Sequence, residues 1–163
     1  MKILDQTRIK QKIKRIAIEI LERNSEAKEI VFAGINNKGY AFAEHICHEI
    51  NKTADTKIIL TRIKLNPADP LAHEVKLDIS SQQLQKKSIV VVDDVANTGR
   101  TLFYAMDPIL KSLPKKVEVA VLVDRMHKSF PIQVDYVGLT LATTMQENIE
   151  VDMSGKDWSV ELN

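Results

Sequence analysis

The residue types best able to do chemistry crowd into one run, Val90-Val91-Val92-Asp93-Asp94-Val95-Ala96-Asn97-Thr98-Gly99-Arg100-Thr101. A buried strand there ends in two carboxylates, and a short loop with Thr, Gly and Thr opens a helix. In an open α/β sheet, ligands bind beyond the carboxyl ends of the strands. The start of the following helix offers unpaired N–H groups and the positive end of its dipole, which suit a phosphate. Thr98 and Thr101 add hydroxyl donors, and Gly99 lets backbone come close to a ligand. Carboxylates repel phosphate, so Asp93 and Asp94 suit the hydroxyls of a sugar, or a divalent metal held through water. Phosphate donors on one side and hydroxyl acceptors on the other match a ribose 5-phosphate group. The plainer alternative is a strand whose terminal acids cap the next helix. It suits an isolated Asp-Asp pair better than it suits the whole run. The run contains neither G-x-x-x-x-G-K-[ST] nor G-x-G-x-x-G. A receiver domain would place its acidic pair after the first strand and would have no use for Thr98-Gly99-Arg100-Thr101.

Other chemistry-bearing residues carry weaker signals. Asn36-Asn37-Lys38-Gly39 follows an apolar run and reads either as an ordinary turn or as an anion-binding loop, with Lys38 supplying charge and Gly39 close approach. Arg125 reads equally as a ligand contact or as a surface ion-pair residue. His45 and His48 lie three apart on a helix, a metal-compatible spacing, although a solvated helix face explains them better. His127, beside Arg125 and Lys128, reads as a phosphate or RNA contact or as plain surface loop, and Trp158 as a packing or interface residue.

The elements that must position these residues follow from periodicity. Ile9, Ile13, Ile16, Ala17, Ile20 and Leu21 predict an amphipathic helix over about residues 6–23. Ile30 to Ile35 reads as a buried parallel strand, and Phe42, Ala43, Ile46, Cys47 and Ile50 as a second helical stripe. Lys57 to Ile63 is a further strand, residues 64–74 are a loop around Pro67 and Pro70, and Glu74 to Ile79 alternates like an edge strand. Ser88 to Asp94 is the strongest strand. A helix from about Arg100 to Leu113 follows it, bent or weakened at Pro108. Val117–Val123, Val134–Gly138 and Ile149–Val151 complete the strands. The order predicts an α/β class with a mostly parallel sheet covered by helices on both faces.

Composition agrees. The 163 residues are enough for one domain, expected over 1–163, with 44% apolar and 28% charged residues. Lys and Arg number 23 against 22 Asp and Glu, so net charge does not advertise a nucleic-acid binder, although a local basic face stays open. No apolar run approaches the roughly 18 residues of a membrane helix, and Met1 to Gln6 shows no secretory signal. The single cysteine, Cys47, excludes an internal disulfide and a multi-thiolate zinc site, and fits a reducing cytoplasm.

Asp93-Asp94 followed by Thr98-Gly99-Arg100-Thr101 resembles the phosphoribosyl-pyrophosphate (PRPP) signature of type I phosphoribosyltransferases. Ala120 to His127, Pro131-Ile132 and Asp135 to Gly138 are similar to segments of the PyrR type, a pyrimidine operon regulator that also acts as a uracil phosphoribosyltransferase. Glu22-Arg23-Asn24 and Gly34-Ile35 fit its N-terminal part, and the likeness spans about residues 8–153, most clearly from 88 onward. The resemblance implies a small hood built from terminal segments, a cytoplasmic homo-oligomer, and transfer of ribose 5-phosphate from PRPP with Mg2+ to a nucleobase, uracil or another pyrimidine. It implies that Asp93 and Asp94 hold the ribose hydroxyls as the catalytic pair, with magnesium arriving through the substrate. Asn97, Thr98, Gly99, Arg100 and Thr101 would cradle the 5-phosphate; Asn36, Asn37, Lys38 and Gly39 would hold pyrophosphate; Asp124, Arg125 and the 135–145 segment would lie near the base. Three departures stand out. The stretch from Arg62 to His73 is short and lacks the family's Tyr-Arg-Asp-Asp-like lid, Lys38 replaces an Arg fork, and Met126 replaces a Gly. The alternative is a non-catalytic sensor of PRPP or nucleotide, with RNA as a further partner.

Overall fold

The strand Ser88–Ala96 (β5) is the centre of the molecule, and its alternation explains the layers around it. A computed structural model describes residues 1–163. Val90 and Val92 point to one face of the sheet, where they join a core with α1 (Gln6–Arg23) and α2 (Asn36–Thr53). Ile89 and Val91 point to the other, toward α3 (Arg100–Ala105), α4 (Asp107–Leu110) and the 3-10 turn Ser81–Leu84. A fully buried Val or Ile contributes about 1.5–3 kcal/mol relative to an exposed one. With Ile89 through Val92 all at 0% exposure, β5 is fixed on both faces.

The six-stranded sheet runs β4-β3-β2-β5-β6-β7, with β2 at Glu29–Ile35, β3 at Lys57–Lys64, β4 at Lys76–Leu77, β6 at Lys116–Arg125 and β7 at Tyr136–Leu141. All its pairings are parallel except β3 with β4. The α/β class with a mostly parallel sheet and helices on both faces is therefore observed. A second, antiparallel sheet joins the chain ends: β1 (Lys2–Asp5), β9 (Ser159–Leu162) and β8 (Ile149–Asp152) pair in the order β1-β9-β8. This is the small hood, and its Leu4, Ile149, Val151 and Val160 join the α1/α2 core.

The structure corrects several sequence expectations. The helix expected to run from Arg100 to Leu113 is two short helices, because Pro108 sits in the first turn of α4, where its missing N–H costs nothing. The edge strand expected over Glu74 to Ile79 shrinks to Lys76–Leu77, which leaves little unpaired edge. The strands β1 and β9 that form the hood carry too few residues for a period-2 pattern to mark them. Asn36-Asn37-Lys38-Gly39 is neither a turn nor a loop but the first turn of α2.

Candidate functional site

Two hollows adjoin at the carboxyl end of β5. The smaller, a cup of about 40 Å3, is lined by Asp93, Val95 and the run Asn97 to Leu102. The larger, a cleft of about 530 Å3, lies between Asp94 and the α2 turn Asn36-Asn37-Lys38, with Pro67 and the hood residue Ile149 on its rim. Asp93, Val95, Asn97 and Thr101 line both, so the cup and the cleft share a wall.

The cup is made of backbone. Gly99 has φ 85 and ψ 0, a left-handed conformation that costs an L-residue about 1–2 kcal/mol. Behind it, the Thr98 carbonyl accepts the N–H groups of Ser129 at 2.9 Å and Phe130 at 3.2 Å, so the segment after β6 braces the turn. No side chain caps the start of α3; the nearest approach is Arg100 N–H to Thr98 Oγ1 at 3.4 Å. Arg100 lends the cup its backbone, while its guanidinium donates to the Ala68 carbonyl at 3.5 Å. That bond and Leu65 N–H donating to Asn36 Oδ1 at 3.1 Å hold the short segment after β3 across the mouth of the site.

The paired acids occupy different environments. Asp93 is 8% exposed and its Oδ1 accepts the Asp94 N–H at 2.9 Å. Burial, then the Asp94 charge, pushes its carboxyl well above the usual carboxylate range, with Lys38 pulling the other way. Asp94 is half-buried and lines the cleft.

Across the cleft, α2 begins without a side-chain cap, and Asn36 has φ 50, a left-handed conformation unusual outside glycine. Gly39 acts here in a way the sequence did not indicate. A Cβ on it would lie 2.6 Å from the Val92 carbonyl oxygen and 3.3 Å from Asp93 Oδ1, so its bareness lets α2 touch β5 rather than admit a ligand. Arg62, a residue sequence reasoning passed over, donates from Nη1 to Asn37 Oδ1 at 3.1 Å and stacks over Tyr40 at 4.1 Å. Its signal was a cation among the apolar residues near the carboxyl end of β3, two residues before the terminal Lys64.

Asp124 and Arg125 end β6. Asp124 Oδ1 is taken by Lys128 Nζ at 2.6 Å. Arg125 is not a surface ion-pair residue: it pairs with no carboxylate, and all three of its guanidinium nitrogens bond within the protein. They donate to Thr143 Oγ1 at 2.6 Å, the Thr144 carbonyl at 2.6 Å and Asn97 Oδ1 at 3.2 Å. His127 Nε2 lies 3.1 Å from the Thr143 carbonyl.

The remaining candidates fall away from the site. His45 packs against Trp158 at 4.3 Å between ring centroids, and burial pushes its pKa down. No cluster of three or more His, Cys, Asp or Glu residues could hold a metal. Cys47 is buried, its thiol pushed up to about 12 by desolvation. The largest hollow, about 740 Å3, lies between residues 70–75 and α3–α4. Its two carboxylates, Glu74 and Asp107, are both paired with Lys111, so volume alone does not mark the chemistry.

The family model for the phosphoribosyl transferase domain matches residues 1–154. The chain belongs to that family. Among its relatives, a "Bifunctional protein PyrR" of Fusobacterium nucleatum is 38% identical, over 98% of this chain and 94% of that protein. One of Clostridium kluyveri is 35% identical over 95% and 91%. A "Pyrimidine operon regulatory protein" of Lactococcus lactis is 36% identical over 95% and 91%. The fold is also that of solved phosphoribosyltransferases. A hypoxanthine phosphoribosyltransferase of Trypanosoma cruzi superposes with a TM-score of 0.78 at 17% identity, over 98% of this chain and 94% of that one. A hypoxanthine-guanine enzyme of Bacillus anthracis gives 0.71 at 23%, over 86% and 82%. The resemblance read from the sequence is confirmed, and with it the assignment as a phosphoribosyltransferase.

Proposed function

We propose that this chain, working as one phosphoribosyltransferase-like domain over residues 1–163, transfers ribose 5-phosphate from PRPP to a pyrimidine base, with uracil the first candidate. The observation that carries this reading is the shared wall of cup and cleft, which sets a backbone-lined phosphate cradle beside Asp94 and opposite the cationic start of α2. The 5-phosphate sits in Asn97 to Thr101, the ribose hydroxyls meet Asp94 with Asp93 behind it, and pyrophosphate leaves toward Asn36-Asn37-Lys38. The base lies under the hood near Thr143 and Ile149. A base nitrogen bonds to the anomeric carbon as the carbon–oxygen bond to pyrophosphate breaks, and the nitrogen's proton passes to water. The protein contributes position and fixed charge. Two adjacent oxygen-donor carboxylates without a third ligand fit magnesium that arrives on PRPP. There it would offset charge on the departing pyrophosphate. Incubation with Mg-PRPP and uracil, hypoxanthine or orotate tests the reading: pyrophosphate release with uracil supports it, and release with no base at all rejects it.

A second reading, a regulator that senses nucleotide and binds RNA, is favoured by the charge of α1. Arg8, Lys10, Lys12, Lys14 and Arg15 crowd the first ten residues of α1, toward the positive end of the helix dipole, and only Arg15 pairs with an acid, Glu19. Binding of RNA that weakens steeply with salt would support it. Cytoplasmic location and self-association remain expectations of the same proposal, the latter checked by sedimentation.

A further inference from the structure

Arg125 stands at a junction that the assigned roles do not explain. Its Nε and Nη2 hold Thr143 and Thr144, in the segment between β7 and β8, and its Nη1 holds Asn97, on the wall shared by cup and cleft. Thr143 is one of few buried polar residues in the chain, at 8% exposure, so this end of the strut is anchored. A guanidinium has donors only, so the Asn97 atom facing it is the oxygen, and the Asn97 amide N–H2 is turned away from Arg125. The strut therefore sets the polarity of Asn97 and leaves it a donor for whatever enters the cup.

Resting on the proposed reading of cup and base segment, we propose that Arg125 is a positioning residue that couples the two. Phosphate in the cup fixes the Asn97 amide from one side, and Arg125 passes that order to residues 143–144, where the base would bind. Occupancy of either half then strengthens the other. By linkage the factor is the same in both directions.

Calorimetric titration with uridine, with and without saturating inorganic phosphate, reads this factor. Phosphate is expected to tighten uridine binding in the unaltered chain by about 5- to 150-fold, the usual span of site-to-site coupling. Arg125→Lys keeps the charge but not the fork, so its factor drops to below about 2, as it does in Arg125→Ala. Asn97→Ala, an exposed position, cuts the other end of the strut and gives the same loss at phosphate concentrations raised to saturate its weakened cup. Asn97→Asp keeps the link to Arg125 but turns an acceptor on the phosphate, and weakens phosphate binding itself. Melting temperatures establish which variants are folded. A coupling factor that survives in a folded Arg125→Lys or Asn97→Ala protein overturns the proposal, as does an uncoupled unaltered chain. Failure of phosphate to bind the unaltered chain at all defeats the reading of the cup, and the coupling with it.

Discussion

The turn from β5 into α3 presents backbone to the site, whereas the first turn of α2, across the cleft, presents side chains. On the β5 side a left-handed Gly99 and an uncapped α3 start form a small cup, braced from behind by Ser129 and Phe130 N–H groups. On the α2 side, Asn36 and Asn37 are each tied to the chain after or within β3, through Leu65 and Arg62, and Lys38 stands exposed. A backbone cup recognises one shape and keeps it. A side-chain wall takes its strength from neighbours on other strands and can be retuned by substitution. The first suits a group that stays bound through the reaction, and the second suits a group that leaves.

The largest effect should come from the residue between the two walls. Asp94→Asn removes a charge-assisted acceptor worth about 1.5–3 kcal/mol. Ribose 5-phosphate and PRPP should both bind about 10- to 150-fold more weakly, by calorimetry, with the melting temperature unchanged. An unaltered affinity would remove Asp94 from the sugar site.

The glycines separate the walls next. A Cβ at Gly39 meets the Val92 carbonyl oxygen at 2.6 Å, a backbone atom that cannot swing aside, so Gly39→Ala must push α2 off β5. Overpacking of this kind costs about 1–3 kcal/mol, and each kcal/mol lowers the melting temperature of a domain this size by about 2–4 °C. At Gly99 a Cβ has 3.4 Å to Ile132 and Lys128, so there is room for it, and the penalty of Gly99→Ala is left-handed strain. Both variants should therefore show in thermal unfolding, but only Gly99→Ala should also weaken phosphate binding. Equal effects on both readouts would erase the distinction between the walls.

Asp93 gives a smaller, pH-dependent effect. Its folded pKa is raised, mainly by burial, so above the unfolded carboxylate value of about 3.9 the folded state holds a proton that the unfolded state has lost. Stability from this group consequently falls as pH rises from that value through the folded pKa. Asp93→Asn keeps an oxygen for the Asp94 N–H and removes the titration. It should raise the melting temperature at pH 7, with the gain shrinking as pH falls toward 4. A gain that is constant with pH would mean that Asp93 is ionised in the fold.

The same contrast explains what the sequence could reveal. The β5–α3 cup was legible because backbone recognition leaves a local trace: Gly99 for the left-handed turn, threonines around it, acids at the strand's end, all contiguous. The apolar runs of β2, β5 and β6 are buried on both faces, so the sheet was legible too. The α2 wall was not, because its geometry is assembled from β3 and β5, distant in the chain. Nothing local to Asn36-Asn37-Lys38-Gly39 says that a helix starts there or that Arg62 will lie beside it. The Arg125 strut was hidden for the same reason, since Thr143 is held by tertiary contact alone.

The smallest predicted effect is also the most selective. Lys38 is a point charge on an exposed helix start, and replacing it with arginine restores a planar fork able to grip two phosphate oxygens. Exposed charge contacts are worth about 0.2–1 kcal/mol, so Lys38→Arg should tighten PRPP binding no more than about fivefold. Ribose 5-phosphate, which has the cup's phosphate but no pyrophosphate, should bind as before. The cup is closed by backbone and does not depend on residue 38, so only a ligand that reaches the α2 turn can register the change. An equal gain for both ligands would show Lys38 acting through the general field of the cleft, and the pyrophosphate would then have to be placed elsewhere.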